Sequence, residues 1–319
     1  MSDTWGNNVK ISIFGESHGA AIGVVIDGLP AGVALDMEHI RKEMQRRAPG
    51  NDEFSTPRKE ADEVEILSGV YEGKTTGSAL CGIIRNTDTR SKDYKPHLLR
   101  PGHADFTAFI KYGGFADPRG GGHFSGRLTA PLVFAGAIAK QILSERNIEI
   151  TAKRIAPTDH EILAAKAEGN SIGGAVECVI NGVPAGVGAP IFGSVESKIS
   201  AMMFSVPAVK AVEFGAGVGF AQMLGSEAND EFYIENGEIL TKTNNNGGIN
   251  GGITNGMPIV FRVTIKPTSS IAKEQNTVDI EKMENTTIKI EGRHDPCIVP
   301  RAVVVVEAAA ALCALDLIN

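Results

Sequence analysis

The chain has 319 residues, 42% of them hydrophobic and 22% charged, which is the balance of an ordinary globular core. Its net charge of −7 excludes a general nucleic-acid binder held by phosphate contacts. The four cysteines, Cys81, Cys178, Cys297 and Cys313, are too widely spaced for a disulfide framework or a zinc site, and a reducing cytoplasm is the expected setting.

Short apolar runs bounded by turn residues predict strands at residues 9–14 and 23–27. A helix is expected over 36–47, with Asp36 as N-cap and Glu38 in its first turn. A third strand at 80–84 precedes an apolar helix that opens at Pro131 and runs to Arg146. Residues 151–174 are expected to form a variable connection. Strands are then predicted at 175–180 and 259–265, with a mobile or ligand-facing Asn/Gly-rich loop between them at 244–256. The closing segment, 300–318, carries Glu307 and Asp316 and reads as a buried helix rather than a membrane span. The first ten residues lack the apolar run of a signal peptide.

The chain also matches itself. Ile26-Asp27-Gly28-Leu29-Pro30-Ala31-Gly32-Val33 recurs as Ile180-Asn181-Gly182-Val183-Pro184-Ala185-Gly186-Val187. Further on, Val64-Glu65 is echoed by Val212-Glu213, Thr76-Gly77 by Asn255-Gly256, and Arg85-Asn86-Thr87 by Lys266-Pro267-Thr268. The expectation is a single domain made of two pseudo-repeats, roughly 1–150 and 175–319. Its class is α+β, a β-α-β sandwich with the apolar helices between two antiparallel sheets.

Four glycine-and-histidine motifs could carry chemistry. Gly15-Glu16-Ser17-His18-Gly19 follows the first strand and presents a histidine on a sharp turn. Arg100-Pro101-Gly102-His103-Ala104-Asp105 lies in a locally basic segment, with Asp105 expected to cap the next helix and His103 beside its positive end. In Arg119-Gly120-Gly121-Gly122-His123-Phe124-Ser125-Gly126-Arg127, the glycines could turn backbone N–H groups to an anion, with Arg127 available for bidentate contact. Gly292-Arg293-His294-Asp295-Pro296-Cys297 joins an arginine, a histidine and a carboxylate in one turn. The seven histidines show no metal-ligand spacing, so no metal is expected.

Together with Gly28-x-Pro30-x-Gly32 and Lys266-Pro267-Thr268-Ser269-Ser270, the first, second and fourth of these motifs resemble the chorismate synthase family over nearly the whole chain. The resemblance implies a lyase that removes phosphate from 5-enolpyruvylshikimate 3-phosphate by 1,4-anti elimination. It also implies a requirement for reduced FMN without net redox, NADPH as a candidate reductant, and a homotetramer. His18 corresponds to the phosphate-side acid, His103 to the group at the flavin N1 edge, and Asp295 to the acid near N5, with His294 as its neighbour. The implied FMN positions are His123, Phe124, Ser125, Pro207, Ala208, Gly251, Lys266, Pro267, Thr268, Ser269, Ser270 and Arg293. Arg47 and Arg127 correspond to substrate or NADP contacts. The chain departs from the family within His123 to Thr129, at Pro207, where many members have Asn, and at Glu53, which replaces a usually basic residue. A small anionic substrate is expected, with no nucleic-acid or membrane partner. The runner-up is a non-catalytic flavin- or phosphate-binding protein on the same scaffold. A third reading, a hydrolase, would use Ser17 and His18.

Overall fold

A computed structural model describes residues 3–50, 62–87, 95–290 and 295–319. The first sheet contains β1 (Thr4–Trp5), β2 (Lys10–Gly15), β3 (Ala21–Asp27), β4 (Val64–Ser68) and β5 (Leu80–Arg85) in the order β1-β2-β3-β5-β4. The second contains β6 (Glu149–Ala156), β7 (Gly174–Asn181), β8 (Val209–Phe214) and β9 (Ile259–Ile265) in the order β6-β7-β9-β8. All pairings in both sheets are antiparallel. Setting β1 aside, the two strand orders are the same.

The helices are α1 (Met37–Arg47), α2 (Asp105–Lys111), α3 (Thr129–Ser144), α4 (Asp159–Ala167), α5 (Val195–Ser205) and α6 (Val299–Ile318), with a further single turn at Gly225–Ala228. Asp36 caps α1 as expected, accepting from the Glu38 and His39 N–H groups at 2.9 and 3.0 Å. The strands bury alternate residues; in β9 these are Ile259, Phe261, Val263 and Ile265. Apolar side chains cover nearly the whole circumference of α3 and α6, so both helices are buried. The α3 helix packs on β3 and β5, α6 packs on β6 and β7, and the two helices pack on each other. At their crossing Gly136 meets Ala308, where a side chain on Gly136 would place its Cβ 2.3 Å from the Ala308 Cβ. The result is an α+β fold with one continuous apolar core.

The matching octets are held by matching bonds. Thr75 donates its hydroxyl to the Pro30 carbonyl at 2.6 Å and accepts from the Val33 N–H at 3.0 Å. Thr254 does the same with Pro184 at 2.7 Å and Val187 at 2.9 Å.

Two expectations need correction. Residues 151–174 are not a plain connection, because they carry most of β6 and all of α4. β6 is an edge strand with Lys153 and Arg154 among its residues and only Ile150 fully buried, so its sequence looks like a polar loop. Residues 244–256 are an ordered turn and hairpin, pinned where Asn244 donates to the Pro258 carbonyl and accepts from the Gly248 N–H.

Among the described residues, no helix is long and apolar enough to cross a membrane. Within α6, Glu307 is instead neutralised inside the protein. It takes two bonds from Arg46, at 2.7 and 2.9 Å, one from the Ala152 N–H at 3.0 Å, and one from Lys140. Burial pushes its carboxyl up, but the bonds from Arg46 and Lys140 outweigh it and hold the group below its ordinary value of 4.5. A lowered folded value means the ionised form stabilises the fold above pH 4.5, and that contribution is lost as acid protonates the folded carboxylate. Glu307→Gln is therefore expected to cost about 3 kcal/mol at neutral pH. Urea unfolding should show the gap between wild type and variant closing on acidification below pH 4.5, and a gap independent of pH would refute this.

Candidate active site

The first residues of α3 and α6 open onto a cleft of about 1710 Å³, lined there by Leu128, Thr129, Ile298, Arg301 and Ala302. Two long helices of 16 and 20 residues thus direct their positive ends to one space. Three of the sequence motifs meet at its wall, and the reason is geometric. Gly120, Gly121 and Gly122 have φ of 60°, 85° and 54°, a left-handed run that only glycine adopts without strain. A Cβ on Gly120 would fall 2.5 Å from the His18 ring, and one on Gly121 would lie 3.4 Å from His103 Nε2. The two imidazoles thus flank one strip of bare backbone. The glycines were expected to present N–H groups to an anion; what the structure adds is this role as spacers between histidines.

His18 is 6% exposed and lies behind Gly120 rather than on the cleft surface itself. Its turn is tied down by Asn86, which donates to the carbonyls of Glu16 and Gly19 at 2.9 and 2.8 Å. Ser17 donates to the carbonyls of Arg119 and Gly120, at 3.2 and 3.0 Å. A hydroxyl committed to two backbone carbonyls has no activating base, so the hydrolase reading loses its nucleophile.

His103 lines the cleft, with Nδ1 bonded to Asp105 Oδ1 at 2.6 Å. Asp105 does not cap α2 as expected. The N-cap is Ala104, with no side-chain bond, and the Asp105 carboxylate turns back to Arg100 and His103. Burial pushes this carboxyl up, but hydrogen bonds from Arg100 and His103 prevail and hold it well below the usual carboxylate range.

Arg47 and Arg127 also border the cleft, yet both are almost wholly buried. Each pairs with Asp62 at 2.8 Å, and the Asp62 side chain has no exposed surface. Arg127 Nε donates to Asn86 Oδ1 at 2.6 Å and Nη2 donates to the Arg85 carbonyl at 3.3 Å. The expected open bidentate fork is therefore turned largely into the protein. Asp62 and Asn86 were not among the candidate residues; Asn86 had a signal in the Arg85-Asn86-Thr87 repeat, whereas Asp62 lies in an acidic stretch with no motif.

The second half supplies the opposite wall. Lys266, Pro267, Thr268, Ser269, Ser270, Pro207, Ala208 and Asp295 all line the cleft. The Lys266 ammonium donates to the Gly102 carbonyl, joining the halves across the His103 turn. Ala208 holds φ at 73°, an uncommon strained conformation for a residue with a side chain. Asp295 pairs with Arg301, and its carbonyl accepts from the Thr268 hydroxyl at 3.0 Å. Arg301 also went unremarked in the sequence, although it is the sole cation in an apolar helix. His123, Phe124 and Ser125 border the cleft too, with His123 Nδ1 on the Gly15 carbonyl at 2.8 Å and Phe124 edge-on to Tyr112. Gly251 is not part of this wall; it sits in the turn between Ile249–Asn250 and Ile253–Thr254 with open space around it. Glu53, Arg293 and His294 lie outside the described residues.

The left-handed glycines yield a stability test. Gly120→Ala is expected to lose about 1–2 kcal/mol in urea unfolding from its backbone alone. Gly126→Ala, where φ is not left-handed and a Cβ has open space, should lose clearly less. Equal losses would contradict the constraint.

Comparison with known proteins agrees with this geometry. The sequence profile described as chorismate synthase matches residues 9–160 and 151–318. A chorismate synthase of Chitinophaga pinensis is 49% identical over 320 residues, covering 98% of this chain and 96% of its own. One from Dehalococcoides mccartyi is 45% identical over 351 residues, covering 99% and 96%. A crystal structure of chorismate synthase superposes with a TM-score of 0.77 at 29% identity, covering 98% of this chain and 92% of that one. From the left-handed glycines between two histidines to the full-length match, the chain belongs to the chorismate synthase family.

Proposed function

We propose that this protein is a carbon–oxygen lyase that converts 5-enolpyruvylshikimate 3-phosphate to chorismate by 1,4-anti elimination of phosphate. The observation that carries this reading is the pair His18 and His103 on either side of Gly120 and Gly121, at the wall of a cleft where two helix N-termini converge. The cleft is larger than the roughly 300–1,000 Å³ of a single small-molecule site, which suits a cofactor and a substrate side by side.

The lining fits FMN. Phe124 offers an apolar surface, Ser125, Thr268, Ser269 and Ser270 offer hydroxyls and backbone N–H groups, and Lys266 offers a cation for the phosphate. Reduced FMN held there would supply the electron density that elimination of phosphate needs, with no net oxidation. Around it, His103 takes up and gives back a proton at Nε2, and Asp295, paired with Arg301, stands ready to move the ring proton. His18 donates toward the departing phosphate past the bare Gly120 backbone, and the convergent helix dipoles favour the anion. Arg47 and Arg127 act on the substrate chiefly as buried charge at the cleft floor, organised by Asp62. Pro267 and Pro207 shape the rim, and Ala208 brings backbone close to the ligand. Arg293 and His123 complete the proposed cofactor contacts, with NADPH as candidate reductant.

The same reading treats the chain as one cytoplasmic domain of two duplicated halves, a β-α-β sandwich, supported by the shared strand order and the twin threonine bonds. It also treats the protein as a homotetramer. Support for assembly comes from exposed apolar side chains at Phe192, 92% accessible, and at Phe232, Ile234 and Ile239 on one hairpin. Gly251 would meet cofactor only if such assembly brings its turn to a neighbouring cleft.

With chemically reduced FMN under anaerobic conditions, purified protein should release phosphate and chorismate in equal amounts; absence of both would refute the reading. His18→Ala, His103→Ala and Asp295→Ala are each expected to slow turnover by roughly 10²-fold or more while FMN titrations stay close to wild type. Turnover near wild type in any one of them would remove that residue from the mechanism. Light scattering of the purified protein checks the tetramer.

A further inference from the structure

We infer that Asp105 is the positioning residue for His103, locking the imidazole in the Nδ1–H tautomer so that Nε2 faces the cleft. This rests on the reading that His103 handles a proton there. The carboxylate accepts on all sides from defined donors. Arg100 reaches it through its backbone N–H at 3.0 Å, Nε at 2.7 Å and Nη2 at 2.6 Å, and His103 Nδ1 through a bond of 2.6 Å. The three side chains are 13–19% exposed, so water competes little for these bonds.

The tautomer follows from donor and acceptor chemistry. An ionised carboxylate only accepts, so the ring nitrogen bonded to it must carry hydrogen, and the neutral ring then keeps its lone pair on Nε2. Nε2 is the atom lying against Gly121, where the absence of a side chain leaves it open to the cleft. The proton taken up or given back therefore moves at Nε2, while Nδ1–H stays in place throughout. Arg100 has a second effect. Its fork balances the charge of Asp105 and fixes the carboxylate in place against the ring. Lys266, bonded to the Gly102 carbonyl, is a further charged group at this turn. Asp105 thus stands to His103 as a third group stands to the base of a hydrolytic triad, reached here from two residues along the same turn.

The test reads the tautomer directly, by long-range proton–nitrogen NMR on protein labelled with ¹⁵N-histidine. Wild type should show neutral His103 protonated at Nδ1. Asp105→Asn, whose amide can turn its NH₂ to Nδ1, should shift the ring toward the Nε2–H form. That variant should lower kcat by roughly 10²-fold or more with FMN affinity held within about threefold, the range of a lost proton-transfer geometry. A wild-type ring protonated at Nε2 overturns the proposal without any variant having to fold. So does Asp105→Asn with an unchanged tautomer and a near-normal kcat. Normal turnover in His103→Ala would instead sink the proton role of His103, while the tautomer measurement would still judge the hold of Asp105 on the ring.

Discussion

The structure depends on one contact between two helices. Because Gly136 has no side chain, α3 and α6 approach to backbone distance at Ala308, closer than any larger residue would allow. Each helix is apolar nearly all round and carries its own sheet, so the crossing sets the separation of the two halves. It also sets the pairing of helix ends. Arg146, just past the end of α3, bonds to Asn319 just past α6, while the first turns of both helices line the cleft. Each N-terminus favours a nearby anion by about 0.3–1 kcal/mol, and here two act on one space.

Around that space, three carboxylates are each held by arginine. Asp105 is balanced by Arg100, Asp295 by Arg301, and Asp62 lies between Arg47 and Arg127. Such pairing offsets part of the cost of holding charges at the edge of a low-dielectric site. It also fixes side-chain directions before a ligand arrives, which is the condition for stabilising charge that develops only during reaction. The small residues act in the same sense. Gly120, Gly121 and Gly122 bring two histidines to one strip of backbone, an arrangement that the sequence separates by more than eighty residues.

Much of this was legible in the chain. Strands with strict alternation, such as β9, and helices with proline near their start or an aspartate cap announced themselves through period and punctuation. The histidine motifs identified the cleft because glycine clusters mark backbone that must run where side chains cannot. The losses have equally physical causes. β6 was read as a connection because an edge strand with a solvent face has little apolar signal. Asp105 was read as a cap because spacing alone does not tell a carboxylate that bonds forward to its helix from one that bonds back to Arg100. Asp62 had no motif at all; its place between two arginines arises only when distant segments meet.

The two sheets share a strand order, yet the connections at corresponding places are very different. Between β2 and β3 the link is a five-residue turn holding Ser17 and His18, while between β6 and β7 it includes the whole of α4. The α4 helix touches none of the cleft, and only the tail of that link braces it, where Ser171 donates to the Thr268 carbonyl and the Ile172 N–H to that of Pro296. At these two corresponding links, only the one in the first half carries a candidate catalytic side chain, His18. The β6–β7 link stays clear of the cleft up to Asn170 and is tied to the core through Ile162, while the short turn opposite holds His18 against Gly120.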